Sequence, residues 1–374
     1  MIRMITALTG VSLLALASPV AAQAPAAAPA VKAAPVAQLV KAVDIPFRHF
    51  TLKNGLRVYI HTDRKAPVVA VSVWYDVGSK HEPKGKSGFA HLFEHLMFNG
   101  SENSPGEFFE PLKTVGATDY NGTTNKDRTN YFETVPKGAL ERALFLESDR
   151  MGYLLGAITQ PVLDEQRGVV QNEKRQGDNQ PYGMLRYALT EGLYPADHPY
   201  GHDTIGSMED LDAASLDDVK GWFRNHYGPN NAVLVLAGDV DEATARPLVE
   251  KYFGPIAAGP KTVTRPAGPV TLAAPRTIEL KDKVAATLLV RAWSVPGMGD
   301  PGMTALDVAA GALAGMSSAR LVDQLVRKEK LFVQVSASNQ SQSQAGTFSI
   351  FGVVRPGVDP VLAGKRLDEM VADF

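Results

Sequence analysis

The chain has 374 residues, 45% hydrophobic and 21% charged, which is enough to fill two sizeable cores. Thirty-eight basic against forty acidic side chains leave a formal charge of −2, which argues against nucleic acid or a general anionic surface as the partner. With no cysteine, thiol catalysis, disulfides and cysteine-rich zinc sites are excluded, so any metal must be held by His, Asp or Glu.

At the amino terminus, Arg3 precedes an apolar stretch, Met4 to Ala17, and a small-residue cleavage site, Val20-Ala21-Ala22. Residues 1–22 read as a secretory signal. The apolar run is short for a membrane span, and no later segment is long enough to be one. The Ala/Pro-rich residues 23–44 predict a flexible tether. Together they predict an exported protein, periplasmic if the source is a Gram-negative bacterium.

Folding is expected from Ile45. Leu56 to His61 and Val68 to Val77 predict strands, the second alternating through Val71, Val73 and Tyr75. A helix follows from about Ser87. Ser104-Pro105-Gly106-Glu107 has the form of a capping box opening another helix, which Gly116 ends. Thr118 to Thr124 and Arg128 to Val135 predict two strands joined by a turn at Asn125 to Asp127. Helices are expected at Lys137 to Leu155, Pro161 to Gly177, Ser215 to Tyr227 and Glu242 to Phe253, with a buried strand at Ala232 to Ala237. The Pro/Gly/Thr-rich stretch Gly259 to Pro275 marks a boundary between domains at 45–260 and 261–374.

Beyond that boundary the order resembles the first domain. A strand (Ala286 to Trp293) leads to helices (Met303 to Ala314, Ala319 to Lys330), two strands (Phe332 to Ser338, Thr347 to Val354) and a helix (Pro360 to Phe374). About 110 residues cannot repeat a first domain of about 215, so the second domain reads as truncated. The mixture predicts an α+β fold of layered domains. Trp74, Trp222 and Trp293 are expected in the core.

The run His91-Leu92-Phe93-Glu94-His95 carries the chemistry. On a helix the two histidines lie about one turn apart with Glu94 beside them, while Phe89, Leu92, Phe93, Leu96 and Met97 form the opposite stripe. Such a helix can bury its apolar side and still aim two imidazoles at one metal. The order H-x-x-E-H is the inverse of the commoner zinc-protease signature. Catalytic zinc wants three protein ligands, and Glu173 is a candidate third, at the apolar margin of Val169 and Val170. A surface glutamate paired with Arg167 or Lys174 would fit that position equally well.

The sequence resembles the insulinase/pitrilysin family of zinc metallopeptidases over about residues 46–374. The resemblance is carried by Gly88 to Phe98 around the two histidines, by Glu173 set 78 residues after His95, and by Asn121-Gly122-Thr123-Thr124 with Asp127, Thr129 and Tyr131. His198-Pro199-Tyr200-Gly201 with Ile205-Gly206, and Tyr227 to Ala232 leading into Val233 to Asp239, also match. It implies two related α/β-layered domains, one Zn2+ per chain on His91, His95 and Glu173, and Glu94 as catalytic base. It also implies that peptide adds as an extended strand beside Tyr120 to Thr124, with Asn121 and Gly122 near the cut bond. Asn121-Gly122 alone would also suit a tight turn.

One position departs from the pattern. Many members carry a glutamate seven residues before the ligand glutamate, where this chain has Gln166, an amide that lends a ligand histidine less negative charge. The expected function is a zinc-dependent endopeptidase or oligopeptidase acting on unfolded peptides, within a chamber whose other half is a C-terminal continuation or a partner subunit. The alternative is a non-catalytic structural or partner subunit of the same fold, although such relatives usually lose part of the motif. His49, His61, His81, His198, His202 and His226 are expected to be structural or exposed.

Overall fold

The computed structural model describes residues 44–374. The expected signal sequence and all but the last residue of the tether lie outside the described residues. Residues Arg48–Thr51 (β1), Arg57–Thr62 (β2) and Val68–Tyr75 (β3) begin the first sheet. The alternation in β3 points Val69, Val71, Val73 and Tyr75 inward, and all four are fully buried. Helix Phe89–Leu96 (α1) and the short helix Glu110–Lys113 (α2) lead to a hairpin of Thr118–Thr124 (β4) and Thr129–Pro136 (β5). Five helices follow: Leu140–Gly152 (α3), Gln160–Asp178 (α4), Leu185–Leu193 (α5), Met208–Asp212 (α6) and Leu216–His226 (α7). Strand Ala232–Gly238 (β6) and helix Glu242–Phe253 (α8) complete this part.

The sheet order is β1-β2-β6-β3-β5-β4, with β2 and β6 parallel and every other pair antiparallel. In the centre Val71 faces Leu236 and Val73 faces Leu234 across the β3–β6 pair. Among the described residues, the hairpin strand β4 has no outer neighbour, so one row of its backbone groups is open.

No helix or strand lies between Phe253 and Leu288. A second sheet then forms from Leu288–Pro296 (β7), Phe332–Ser341 (β8) and Ala345–Val354 (β9), in the order β7-β9-β8. Between β7 and β8 run helix Met303–Ala310 (α9) and two π-helical stretches, Gly311–Gly315 and Val322–Lys328. Helix Pro360–Ala372 (α10) ends the chain as described. Leu321, Leu325, Phe332, Ile350 and Leu367 fill this smaller core. The antiparallel pairing β7-β9-β8 repeats β3-β5-β4, so two related α/β-layered units are present, as expected.

Several expectations need correction. The stretch after Ser104 does not open a helix. Gly106 adopts φ +99°, Ser101 and Ser104 bond each other's backbone, and Asp149 takes both the backbone and side-chain N–H of Asn103, which leaves only α2 helical. Asn121-Gly122 lies inside β4, as the expected strand Thr118 to Thr124 requires, and the alternative of a tight turn falls away. Trp222 is buried, but Trp74 and Trp293 are 40% and 41% exposed. Trp74 sits between inward-facing Val73 and Tyr75, so the strand alternation turns it outward, where the Arg128 guanidinium lies 5.1 Å above its ring. Strand β1 and helices α5 and α6 were not foreseen. Among the described residues, no helix is long and apolar enough to cross a membrane.

Candidate metal centre

Helix α1 buries Phe89, Ala90, Leu92, Phe93 and Leu96, which leaves His91 and His95 on the opposite side. Its start is held from outside the helix. Gly88 is in the left-handed region at φ +91°, and a Cβ there would stand 2.9 Å from the Ile205 carbonyl oxygen. The Glu82 carboxylate accepts hydrogen bonds from the backbone N–H of Gly88 (3.0 Å) and Ala90 (2.8 Å), as an N-cap side chain would. It also pairs with His202 Nε2 at 2.8 Å. Burial pushes the Glu82 carboxyl up, and His202 is raised by this partner despite its own burial.

Helix α4 packs against α1 and brings in Glu173. Glu173 Oε2 lies 3.6 Å from His91 Nε2 and 3.4 Å from His95 Nε2. The three candidate ligand atoms all fall within 4.8 Å of one another. Tetrahedral ligands 2.0–2.1 Å from a zinc ion stand about 3.3–3.4 Å apart, so the donor set and its spacing fit that metal. The competing partners of Glu173 are engaged elsewhere. Arg167 pairs with Asp164 and donates to the Leu211 and Ala214 carbonyls, while Lys174 pairs with Asp178 and Tyr187. The expected apolar margin is more open than the sequence suggested, since the Glu173 side chain is 44% exposed and Val169 is also exposed.

Burial holds His91 down to about 4, with the neighbouring His95 charge adding to the effect. Burial also lowers His95, against the opposing pull of Glu173. Both imidazoles are therefore neutral near pH 7 and offer a lone pair. Glu94 is buried, and burial raises its carboxyl. The Glu173 charge adds to that rise, while the Thr124 hydroxyl and Arg128 oppose it. A carboxylate raised in this way is a stronger base than an exposed one.

Strand β4 lies alongside α1. A bulge between Thr118 and Asn121, with Asp119 at φ +53°, re-aims the chain just before Asn121. Asn121 is exposed and Gly122 buried. A Cβ on Gly122 would stand 2.8 Å from the Phe98 ring, so only glycine lets the strand approach so closely. Gln166, on α4, is half-exposed. Among the described residues no side chain, Gln166 included, hydrogen-bonds His91 Nδ1.

Sequence reasoning placed Thr124 on the strand beside the site but missed Glu82, His202 and Arg128 as its neighbours. Arg128 donates to the Thr123 carbonyl and to Asn130 Oδ1, each at 2.8 Å. None of these three has a local signature, because each acts on a segment it reaches only through the fold.

A family model described as insulinase (peptidase family M16) matches residues 57–200, and one described as peptidase M16 inactive domain matches residues 213–374. The zinc protease PqqE of Helicobacter pylori is 31% identical over 322 residues, covering 85% of this chain and 72% of that protein. The crystal structure of a protease from Helicobacter pylori superposes with a TM-score of 0.80 at 30% identity, over 87% of this chain and 78% of that one. The periplasmic protease PqqL from Escherichia coli shares the fold, with a TM-score of 0.65 at 20% identity, over 83% of this chain and 36% of that one. This chain belongs to the insulinase (M16) family of peptidases.

Proposed function

We propose that the chain is a zinc-dependent endopeptidase or oligopeptidase that hydrolyses unfolded peptides, with His91, His95 and Glu173 holding the metal and Glu94 as the base. The observation that carries this reading is the approach of two neutral histidines and Glu173 at tetrahedral spacing, with a buried carboxylate beside them. A zinc ion held there supplies acidification of water and polarisation of the scissile carbonyl. Glu94 takes a proton from the water whose oxygen adds to the carbonyl carbon. As the C–N bond breaks, it passes a proton to the leaving amine, so the products are a carboxylate and an amine. The open edge of β4 receives the peptide as an added strand, near Asn121 and Gly122. Main-chain pairing of that kind tolerates many sequences.

The test is zinc content by elemental analysis together with cleavage of a quenched peptide, with and without chelator. No chelator-sensitive hydrolysis from the chain, alone or with its other half, would leave the non-catalytic subunit as the better account. That other half is part of the reading: the purified chain is expected to bind zinc yet cleave poorly. Substrate positioning by the opposite half of a chamber can be worth several kcal/mol of barrier. Full activity from the monomeric chain, checked by light scattering, would refute that expectation. We also place the protein outside the cytoplasm, on the signal-like residues 1–22. Amino-terminal sequencing of the mature protein should begin at Gln23, and a cytosolic protein that keeps residues 1–22 would show otherwise.

A further inference from the structure

A cluster of polar side chains away from the candidate metal centre joins the two sheets, and it does so at the turn of the hairpin that carries β4. Asp127, in the β4–β5 turn, accepts hydrogen bonds at Oδ1 from the Tyr200 hydroxyl (2.6 Å) and the Ser343 hydroxyl (2.6 Å), and at Oδ2 from the Ser343 N–H (2.7 Å). Lys80 Nζ lies 3.2 Å from Asp127 Oδ1 and donates to Ser343 Oγ at 3.1 Å. The Tyr200 hydroxyl in turn accepts the Gln344 N–H at 3.1 Å. Ser343 and Gln344 form the β8–β9 turn of the second sheet, 216 residues beyond Asp127.

Ser343 itself is exposed, but the groups it meets are not. The Lys80 side chain is 4% exposed, and Tyr200 is fully buried. Burial pushes the Asp127 carboxyl up, but the hydrogen bonds from Ser343 and Tyr200 more than offset it and leave the group below its ordinary value. Charge-assisted bonds of this kind are the strong ones, and loss of one partner weakens the hold on the Asp127 carboxylate. The turn that carries Asp127 is itself stiff. Asn125 Oδ1 accepts the N–H of both Asp127 and Arg128, and the Asn125 N–H bonds the Arg128 carbonyl. Gly122 lies only five residues before Asp127. An edge strand with a single neighbour tends to open locally unless its end is held.

We infer that the second domain clamps the peptide-receiving edge: Lys80, Asp127, Tyr200 and Ser343 lock the β8–β9 turn onto the β4–β5 turn, and Asp127 is a positioning residue for β4. This inference rests on the proposed role of β4 as the strand beside which peptide adds. It assigns the second domain, which carries no histidine, a part in substrate binding through contact with the first.

The test uses the full chain with its other half, as wild type, Asp127→Asn, Ser343→Ala, their double variant, and Lys251→Ala as an exposed control. Hydrogen exchange followed by mass spectrometry reads the amides of residues 118–124. Exchange there should rise ~10-fold or more in either single variant, and no further in the double. Zinc content should stay at wild-type level. KM for a quenched peptide should rise ~5-fold with a smaller change in kcat. Lys251→Ala should match wild type throughout. If Asp127→Asn fails to fold, Ser343→Ala removes one hydroxyl and still decides the matter. Wild-type exchange of β4 in folded Ser343→Ala would overturn the clamp, as would raised exchange with unchanged KM. A wild type that cleaves no peptide while its β4 exchange responds to both variants would sink the peptidase reading and leave the clamp standing.

Discussion

Strand β3, helix α1 and hairpin β4–β5 have counterparts in β7, α9 and β8–β9. In both sheets the first strand pairs antiparallel with the second strand of the hairpin, and the first hairpin strand forms the edge. The helices differ in what they offer. Helix α1 presents His91, Glu94 and His95, and a second helix brings Glu173 to them. Helix α9 reads Met303-Thr304-Ala305-Leu306-Asp307-Val308-Ala309-Ala310, and its one carboxylate, Asp307, accepts a hydrogen bond from Asn339 on β8. One scaffold thus appears once with a donor set that could hold a metal and once without it. The backbone supplies a platform, and the chemistry depends on a few side chains placed upon it. The platform without donors contributes differently, through the turn contact at Ser343.

The largest expected effects would break the comparison outright. Glu94→Gln should keep stoichiometric zinc and lose peptide hydrolysis by at least ~10²-fold, because it removes the base and leaves the ligands. His91→Ala, His95→Ala or Glu173→Ala should each lose the metal altogether. Zinc remaining in Glu173→Ala, measured by elemental analysis, would mean that the third ligand lies elsewhere.

Core truncation sharpens the contrast between the two copies. Leu96→Ala under the metal helix and Leu325→Ala in the second core should each destabilise by about 2–5 kcal/mol in denaturant titrations, since both side chains are fully buried. Only Leu96→Ala should also weaken zinc binding, because it loosens the helix that carries both histidines. Equal loss of zinc affinity in the two variants would show that the metal site depends on the second core as strongly as on its own.

A smaller effect concerns pH. Protons compete with a metal for imidazole, and two exposed histidines would begin to release zinc near pH 6.5. His91 is held down to about 4 by burial, so zinc should be retained to about pH 5.5 before it falls away. In metal-free protein the same burial has a cost in acid. His91 and His226 are both depressed to about 4, so between pH 6.5 and 4 the unfolded chain binds protons that the folded chain refuses. Stability of the metal-free chain should therefore be intact above pH 6.5 and fall as pH drops towards 4, read as Tm across a pH series. A Tm that is flat over that interval would contradict the burial of these rings.

The smallest expected change is at Gln166. Gln166→Glu should raise zinc affinity by up to ~10-fold if it can supply the charge that orients a ligand histidine, and His91 Nδ1 does lack a hydrogen-bond partner among the described residues. Competition with a zinc-binding dye measures it, and equal or weaker affinity would show that the site does without that carboxylate.

Much of the architecture could be read along the chain because it rests on local periodicity. The spacing of His91, Glu94 and His95 on an apolar-backed helix follows from the 3.6-residue turn, and the alternation in β3 follows from the two-residue pleat. The strand alternation also contained the orientation of Trp74, which a general preference for buried tryptophan obscured. The stretch at Ser104 misled because a capping pattern is a local preference, and here Gly106 and the contacts to Asp149 outweigh it.

What the sequence determined by itself was the donor types, the helix that carries two of them, and the repeat of strand, helix and hairpin. All of these are encoded within a few consecutive turns or strands. Only the tertiary structure decided that Glu173 faces the histidines and not Arg167 or Lys174, since three helical side chains compete and packing of α4 on α1 selects one of them. Only it joined Glu82 to the start of α1 and Asp127 to Ser343. Those pairings span loops and whole domains, and no local pattern of residues records which distant backbone or hydroxyl group a carboxylate will meet.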